Sequence, residues 1–144
     1  MAKELFGISR SDYQACIFDL DGVVTTTARL HAEAWKKLFD DFLRRQSADG
    51  SFTPFSIETD YRDYVDGMPR YQGVKTFLES REIALPFGNV DDSPETETIC
   101  GLGNRKNEIF IRSIQKQGVD VYESSVDLIQ QLRSRSFRTA VVSS

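Results

Sequence analysis

Cysteine, histidine and long apolar runs are what this chain has least of. Its two cysteines, Cys16 and Cys100, stand far apart without any C-x-x-C or Cys/His spacing. Buried free thiols are therefore expected rather than a disulfide or a zinc site. No apolar stretch approaches the ~20 residues that a membrane span needs, so no membrane role is expected. Met1 to Ser11 holds one lysine and one arginine but no apolar block of a secretory signal; the cytoplasm is the expected compartment. A basic excess is missing too. With a formal net charge of -4 and its lysines and arginines scattered, the chain shows no footprint for nucleic acid. Internal repeats and low-complexity segments are likewise absent.

What is present has the make-up of a soluble globular protein, 40% hydrophobic and 28% charged over 144 residues. That length suits one domain, which could bury roughly 70% of its unfolded surface. Ala15-Cys16-Ile17-Phe18 reads as a buried strand running into the polar turn Asp19-Leu20-Asp21-Gly22. From Ala28 to about Arg45, Ala34, Trp35, Leu38, Phe39, Phe42 and Leu43 recur at helical spacing. A second helix carrying Ile57, Tyr61, Tyr64 and Val65 is expected to end at Asp66-Gly67, and a third follows Pro69. Pro86, Gly88 and Asp91-Asp92-Ser93-Pro94 mark a solvated loop. Glu95 to Gln117 is helical in pattern, with a break expected at Gly101 and Gly103. Ser124 or Ser125 can cap a further helix, and Phe137 to Val142 reads as a strand leading to Ser143-Ser144.

This order of elements matches an α/β crossover whose first connection is swollen by a helical insert. The expected division is 1–27 for the start of a core α/β domain, 28–117 for a helical cap, and 118–144 for the return to the core. Parallel βαβ units gather catalytic groups at the carboxyl ends of their strands, where Asp19 and Ser143 both fall. Two parallel strands do not make a finished sheet, because such sheets are normally covered on both faces. Further strands are therefore expected beyond a cut at Ser144, and self-association through open sheet edges is expected of the chain itself.

Two carboxylates at i and i+2, where the backbone leaves a sheet, can turn toward one pocket. One can attack while the other moves protons; an aspartate nucleophile splits phosphoryl transfer into two steps, and Mg²⁺ offsets the repulsion between carboxylate and phosphate. Gly22 lets the backbone approach a phosphate closely. A calcium loop would need a ligand at Val23, glycine at Val24 and an acid at Leu30, and none is there. The other structural alternative is an ordinary Asp-Gly turn.

Phe18-Asp19-Leu20-Asp21-Gly22-Val23-Val24-Thr25 resembles the first motif of the haloacid dehalogenase superfamily, hhhDxDGxx[TS]. The resemblance implies a Rossmann-like core with Asp19 as nucleophile and magnesium ligand. It implies Asp21 as general acid/base with its backbone carbonyl also on the metal, and backbone amides at Gly22 and Val23 on the phosphate. Ser143, after Ala140-Val141-Val142, resembles the second motif, whose hydroxyl binds phosphate, with Ser144 beside it. The insert after the first motif is similar to that of β-phosphoglucomutase-like members. Thr27-Ala28, His31 and Ala34-Trp35-Lys36 resemble their T-A-x-x-H-x-x-A-W-K helix; Gly67 and Arg70 resemble the cap substrate loop; Arg105-Lys106-Asn107 resembles the R-K-N segment.

For Thr27, His31, Trp35, Arg70, Lys106 and Asn107 the resemblance implies substrate and cap roles. The plainer readings are a capping or surface histidine, a core tryptophan, a solvated arginine and a polar helix face. Thr26 departs from the aspartate usual at its position, and the insert from Ser47 to Tyr64 looks longer than the compact cap. The third-motif lysine and fourth-motif acidic pair have no counterpart before Ser144. The implied function is Mg²⁺-dependent phosphoryl transfer on a hexose phosphate through phospho-Asp19, as in β-phosphoglucomutase-like enzymes. The alternatives are a sugar-phosphate phosphatase and a catalytically incomplete fragment or interaction module.

Overall fold

The computed structural model describes residues 7–143. It contains two strands and four α-helices: β1 (Ala15–Asp19), α1 (Thr27–Gln46), α2 (Arg70–Ser80), α3 (Ile99–Gln117), α4 (Glu123–Ser134) and β2 (Arg138–Val142). The chain divides into two compact units, one made of residues 7–28 with Val119–Ser143 and the other of Arg29–Gly118. No helix among the described residues is long and apolar enough to cross a membrane.

In the first unit, β1 and β2 pair in parallel, from Ala15 beside Arg138 to Asp19 beside Val142. This register sets Asp19 and the residue after β2, Ser143, at the same carboxyl edge. The sheet is thinly covered: Ile17 is 72% exposed, Val141 51% and Val142 57%. α4 returns the chain to β2, and Leu132 and Phe137 are buried. The chain leaves and re-enters this unit at hydrogen-bonded neighbours. Thr26 donates to the Asp120 carbonyl from both its amide, at 2.9 Å, and its hydroxyl, at 3.2 Å, and the Tyr122 amide donates to the Val24 carbonyl at 3.0 Å.

The second unit is built on α1, whose apolar stripe enters an aromatic core. Phe39, Phe42, Phe55 and Phe77 are almost wholly buried, with the Phe39 and Phe77 rings 4.0 Å apart at their centroids. Val74, Leu78, Ile99 and Leu102 complete this core from α2 and α3. Arg44 and Arg45 in the last turn of α1 suit its dipole. The Arg81–Asp60 ion pair, 2.8 Å long and mostly buried, ties the end of α2 to the segment before it.

Three local expectations are corrected. The expected helix through Ile57 is a single π-helical turn, Tyr61–Val65, because the Tyr61 and Asp66 amides bond five residues back, to Ser56 and Tyr61. α3 runs unbroken through Gly101 and Gly103. A Cβ at Gly101 would strike the Thr96 carbonyl, and one at Gly103 would come within 2.6 Å of Tyr71 Cδ1. These glycines permit close approach rather than break the helix. Neither Ser124 nor Ser125 caps α4: its N-cap position is Tyr122 without a side-chain bond, and Ser125 commits its hydroxyl proton to the Val23 carbonyl, 2.6 Å away.

Candidate active site

The carboxyl edge of the two strands gathers the motif residues of the first unit. Asp19 is exposed, and its Oδ1 accepts the Leu20 amide at 2.8 Å. Asp21 is half-buried and receives two hydroxyls: Thr27 donates to its Oδ1, and Ser143 donates to its Oδ2 at 3.3 Å. Thr27 is itself buried, 5% exposed, and its oxygen lies 2.7 Å from that of Thr25. Because Thr27 gives its proton to a carboxylate, Thr25 is the donor between the two; Thr25 also contacts the Leu20 carbonyl at 3.1 Å. A line of hydroxyls thus runs from the loop backbone to one oxygen of Asp21 and fixes the carboxylate's orientation.

Gly22 stands at φ 78°, a left-handed conformation that a side chain would strain. It turns the loop so that the Gly22 amide meets the Thr25 carbonyl at 2.8 Å, while the Val23 amide reaches the Leu20 carbonyl at only 3.4 Å. Ser144 lies outside the described residues.

The donor set near Asp19 and Asp21 is all oxygen, two carboxylates with neighbouring hydroxyls. Among the described residues there is no group of three or more His, Cys, Asp or Glu placed to hold a metal. Mg²⁺ commonly takes only one or two carboxylates from protein and fills its octahedron with water and substrate phosphate. The Asp19 carboxylate and the Asp21 backbone carbonyl are the groups that would hold the ion, which leaves the Asp21 carboxylate, with its oxygens on Thr27 and Ser143, to move protons.

A second constellation lies within the other unit. Lys106 on α3, only 5% exposed, places Nζ 2.6 Å from His31 Nδ1 on α1. With Lys106 charged, its ammonium can only donate, which would leave Nδ1 as acceptor and the ring's proton on Nε2. Lys106 Nζ also lies 5.0 Å from the Trp35 ring centroid and 4.9 Å from that of Phe110, and His31 stacks on Phe110 at 3.9 Å. Aromatic faces and an imidazole thereby compensate a cation taken out of water. Trp35, 4% exposed, belongs to the core cluster, so its part here is to form the wall of the lysine's niche. Asn107 follows Lys106 on α3 and is half-buried.

Arg70 opens α2 and lies against its neighbour Tyr71, its Nη2 3.2 Å from the phenol oxygen. Arg105 turns away from Lys106 to donate from Nε to the Pro94 carbonyl at 2.6 Å. Burial first, then the charge of Arg45, holds the Arg105 guanidinium below its ordinary pKa, against the opposing pull of Glu95, Glu97 and Asp41. Cys16 and Cys100 are free thiols, and burial raises the Cys100 pKa, keeping it protonated and inert.

Sequence reasoning missed Thr25, Phe110, Tyr71 and Asn104 as partners of the motif residues. For Phe110 a signal existed: it stands four residues after Lys106, on the same helical face. Tyr71 and Asn104 carried none, since their meeting depends on how α2 packs on α3.

A family model for haloacid dehalogenase-like hydrolases matches residues 13–144, and the chain belongs to that enzyme family. Within the family, the β-phosphoglucomutase of Mycobacterium bovis is 44% identical over 133 residues, covering 91% of this chain and 51% of that protein. The chain spans about half the length of the curated β-phosphoglucomutases it matches. Among solved structures, CbbY from Rhodobacter sphaeroides in complex with phosphate superposes with a TM-score of 0.61 at 21% identity, covering 91% of this chain and 51% of that one. An archaeal β-phosphoglucomutase from Pyrococcus sp. strain ST 04 gives 0.58 at 19% identity over 88% of this chain and 50% of its own. These likenesses establish the α/β fold of the family.

Proposed function

We propose that this chain supplies the nucleophile and the acid/base of a phosphoryl-transfer enzyme acting on a hexose phosphate, in the manner of a β-phosphoglucomutase. The observation that carries the reading is the Asp21 carboxylate held by Thr27 and Ser143 at the strand edge where Asp19 is exposed. The 44% identical β-phosphoglucomutase supports the choice of substrate class.

An Asp19 carboxylate oxygen attacks phosphorus; the bond from phosphorus to the sugar oxygen breaks, and the departing oxygen takes a proton from Asp21. In the second half-reaction Asp21 removes a proton from the accepting hydroxyl, and the phosphoryl group leaves Asp19. Thr27 keeps Asp21 in one orientation through both steps. The loosely held Val23 amide and the Ser143 hydroxyl, which exchanges its long bond to Asp21 for the phosphate, are donors for the phosphoryl oxygens, with Gly22 giving access and Ser144 adjoining them. Mg²⁺ held by the Asp19 carboxylate and the Asp21 backbone carbonyl would neutralise charge between the nucleophile and the phosphate. His31, Lys106 and Asn107 take the sugar's hydroxyl or phosphate oxygens, and Arg70 takes the second phosphate of a bisphosphate intermediate.

Hydrolysis is the second reading, favoured by the hydrolase family to which the chain belongs; water then replaces the accepting hydroxyl. The purified protein is given Mg²⁺, β-glucose 1-phosphate and a hexose bisphosphate. Isomerisation that Asp19→Asn abolishes is the expected result, and phosphate release alone would identify a phosphatase. Turnover that survives Asp19→Asn would refute both readings.

A further inference from the structure

Three side chains on α2 and α3 form a network that no sequence motif accounts for. Tyr71 Oη lies 3.2 Å from Arg70 Nη2 and 2.9 Å from Asn104 Oδ1. Asn104 has its orientation fixed independently, because its amide nitrogen donates to the Val90 carbonyl at 3.0 Å and to the Asp92 carbonyl at 2.9 Å. Its oxygen is therefore the atom that meets the phenol. A phenol has one proton to give, and an amide oxygen can only accept. Tyr71 donates to Asn104, with the Val90 carbonyl a poorer acceptor at 3.5 Å, and keeps its lone pairs for the guanidinium.

The ring contributes a second hold. Arg70 Cζ lies 5.0 Å from the Tyr71 ring centroid, within reach of a cation–π attraction. The ring's own place is fixed by Gly103, where a Cβ would come within 2.6 Å of Tyr71 Cδ1, and by the edge of Phe87, whose centroid is 6.3 Å away. Two successive residues of α3, Gly103 and Asn104, thus seat one tyrosine of α2, and that tyrosine grips Arg70 by face and by oxygen. Arg70 Nε is buried without a hydrogen-bond partner among the described residues. Arg105 Nη1 is in the same condition; what sets Arg70 apart is that its open donor belongs to a guanidinium already held by the Tyr71 oxygen and ring face.

An arginine that must clamp an anion loses the freedom of a long side chain when it does so, and restricting it beforehand lowers that cost. We propose that Tyr71 is a positioning residue for Arg70, prearranging its guanidinium for the second phosphate of a hexose bisphosphate. This rests on the reading above that Arg70 takes that phosphate.

The test titrates glucose 1,6-bisphosphate and glucose 1-phosphate into the protein by calorimetry, for the parent, Arg70→Ala and Tyr71→Phe. The Nε–H NMR signal of Arg70 and a thermal melt are followed in parallel. Tyr71→Phe keeps the ring and removes the oxygen. It is expected to weaken bisphosphate binding by about five- to tenfold, as for the loss of one hydrogen bond to a charged group, and to broaden the Arg70 signal. Monophosphate binding should stay unchanged and the melt should fall only by the loss of the bond to Asn104; a merely structural role would lower the melt without a selective loss for the bisphosphate. Arg70→Ala should lose more than Tyr71→Phe. Weak bisphosphate binding in Arg70→Ala with parent-like or tighter binding in Tyr71→Phe would overturn the positioning role and leave the reading of Arg70 standing. Parent-like binding in Arg70→Ala would overturn both. Asn104→Leu, which removes the phenol's acceptor and leaves the ring, decides in the same way if Tyr71→Phe does not fold.

Discussion

The two units of this chain hold their residues by different means. Arg29–Gly118 has an aromatic interior of its own, with Phe39, Phe42, Phe55 and Phe77 almost wholly buried. In the strand-bearing unit the only buried residues among those described are Thr27, Leu132 and Phe137. Yet that thin unit carries the aspartates, and hydroxyls rather than packing orient them. The packed interior and the aspartates therefore lie in different units, joined through α1, which begins at the Asp21 partner Thr27 and runs into the aromatic core.

Phe77→Ala puts the largest strain on that separation. Removing a buried ring from the helical core should cost about 3–5 kcal/mol, measured by denaturant unfolding of that unit. Amide protection along β1 and β2 should hardly change if the units are independent, and parallel loss of protection there would show that they unfold together.

A smaller effect concerns the start of α3, where Thr98 accepts the Gly101 amide at 2.9 Å and donates to Asp92 Oδ2 at 2.6 Å. The Thr98 hydroxyl first, and then the Asn89 amide, holds the Asp92 pKa below its ordinary value of 3.8. A carboxylate lowered on folding contributes stability that is present above that ordinary value and lost as the pH falls through the lowered one. Exchange protection of the Gly101 amide should therefore decline below pH 3.8. Asp92→Asn should flatten that decline; an unchanged profile would show that the cap does not depend on the carboxylate.

The smallest effect is expected in the strand unit. Ile17→Thr alters a side chain that is 72% exposed and should shift stability by no more than about 0.5 kcal/mol. The same change should reduce self-association through the sheet as seen by light scattering. A large loss of stability would mean that Ile17 is covered in solution.

Much of the fold was legible because its signals are local. The apolar run ending at Asp19 and the stripe on α1 each declare an element within a few residues, and the motif around Asp19 and Asp21 declares the family. Gly101 and Gly103 misled because helix propensity speaks only of the isolated helix; their reasons are the Thr96 carbonyl and the Tyr71 ring. Ser125 looked like a cap because nothing nearby announces that its hydroxyl is engaged by the Val23 carbonyl. The niche of Lys106 was hidden for the same reason: an exposed face and a buried cation differ only in what the partner helix brings, here His31 and Trp35.

The pair of hydrogen bonds from Thr26 to the Asp120 carbonyl has a consequence for how such a chain can change over time. It makes the long stretch between these residues a graft whose two ends are already sewn together at the base. Lengthening a flexible connection costs little, about 0.6 kcal/mol for each doubling. Insertions or wholesale exchange of the graft can therefore alter what is recognised while the aspartates keep their register on the paired strands.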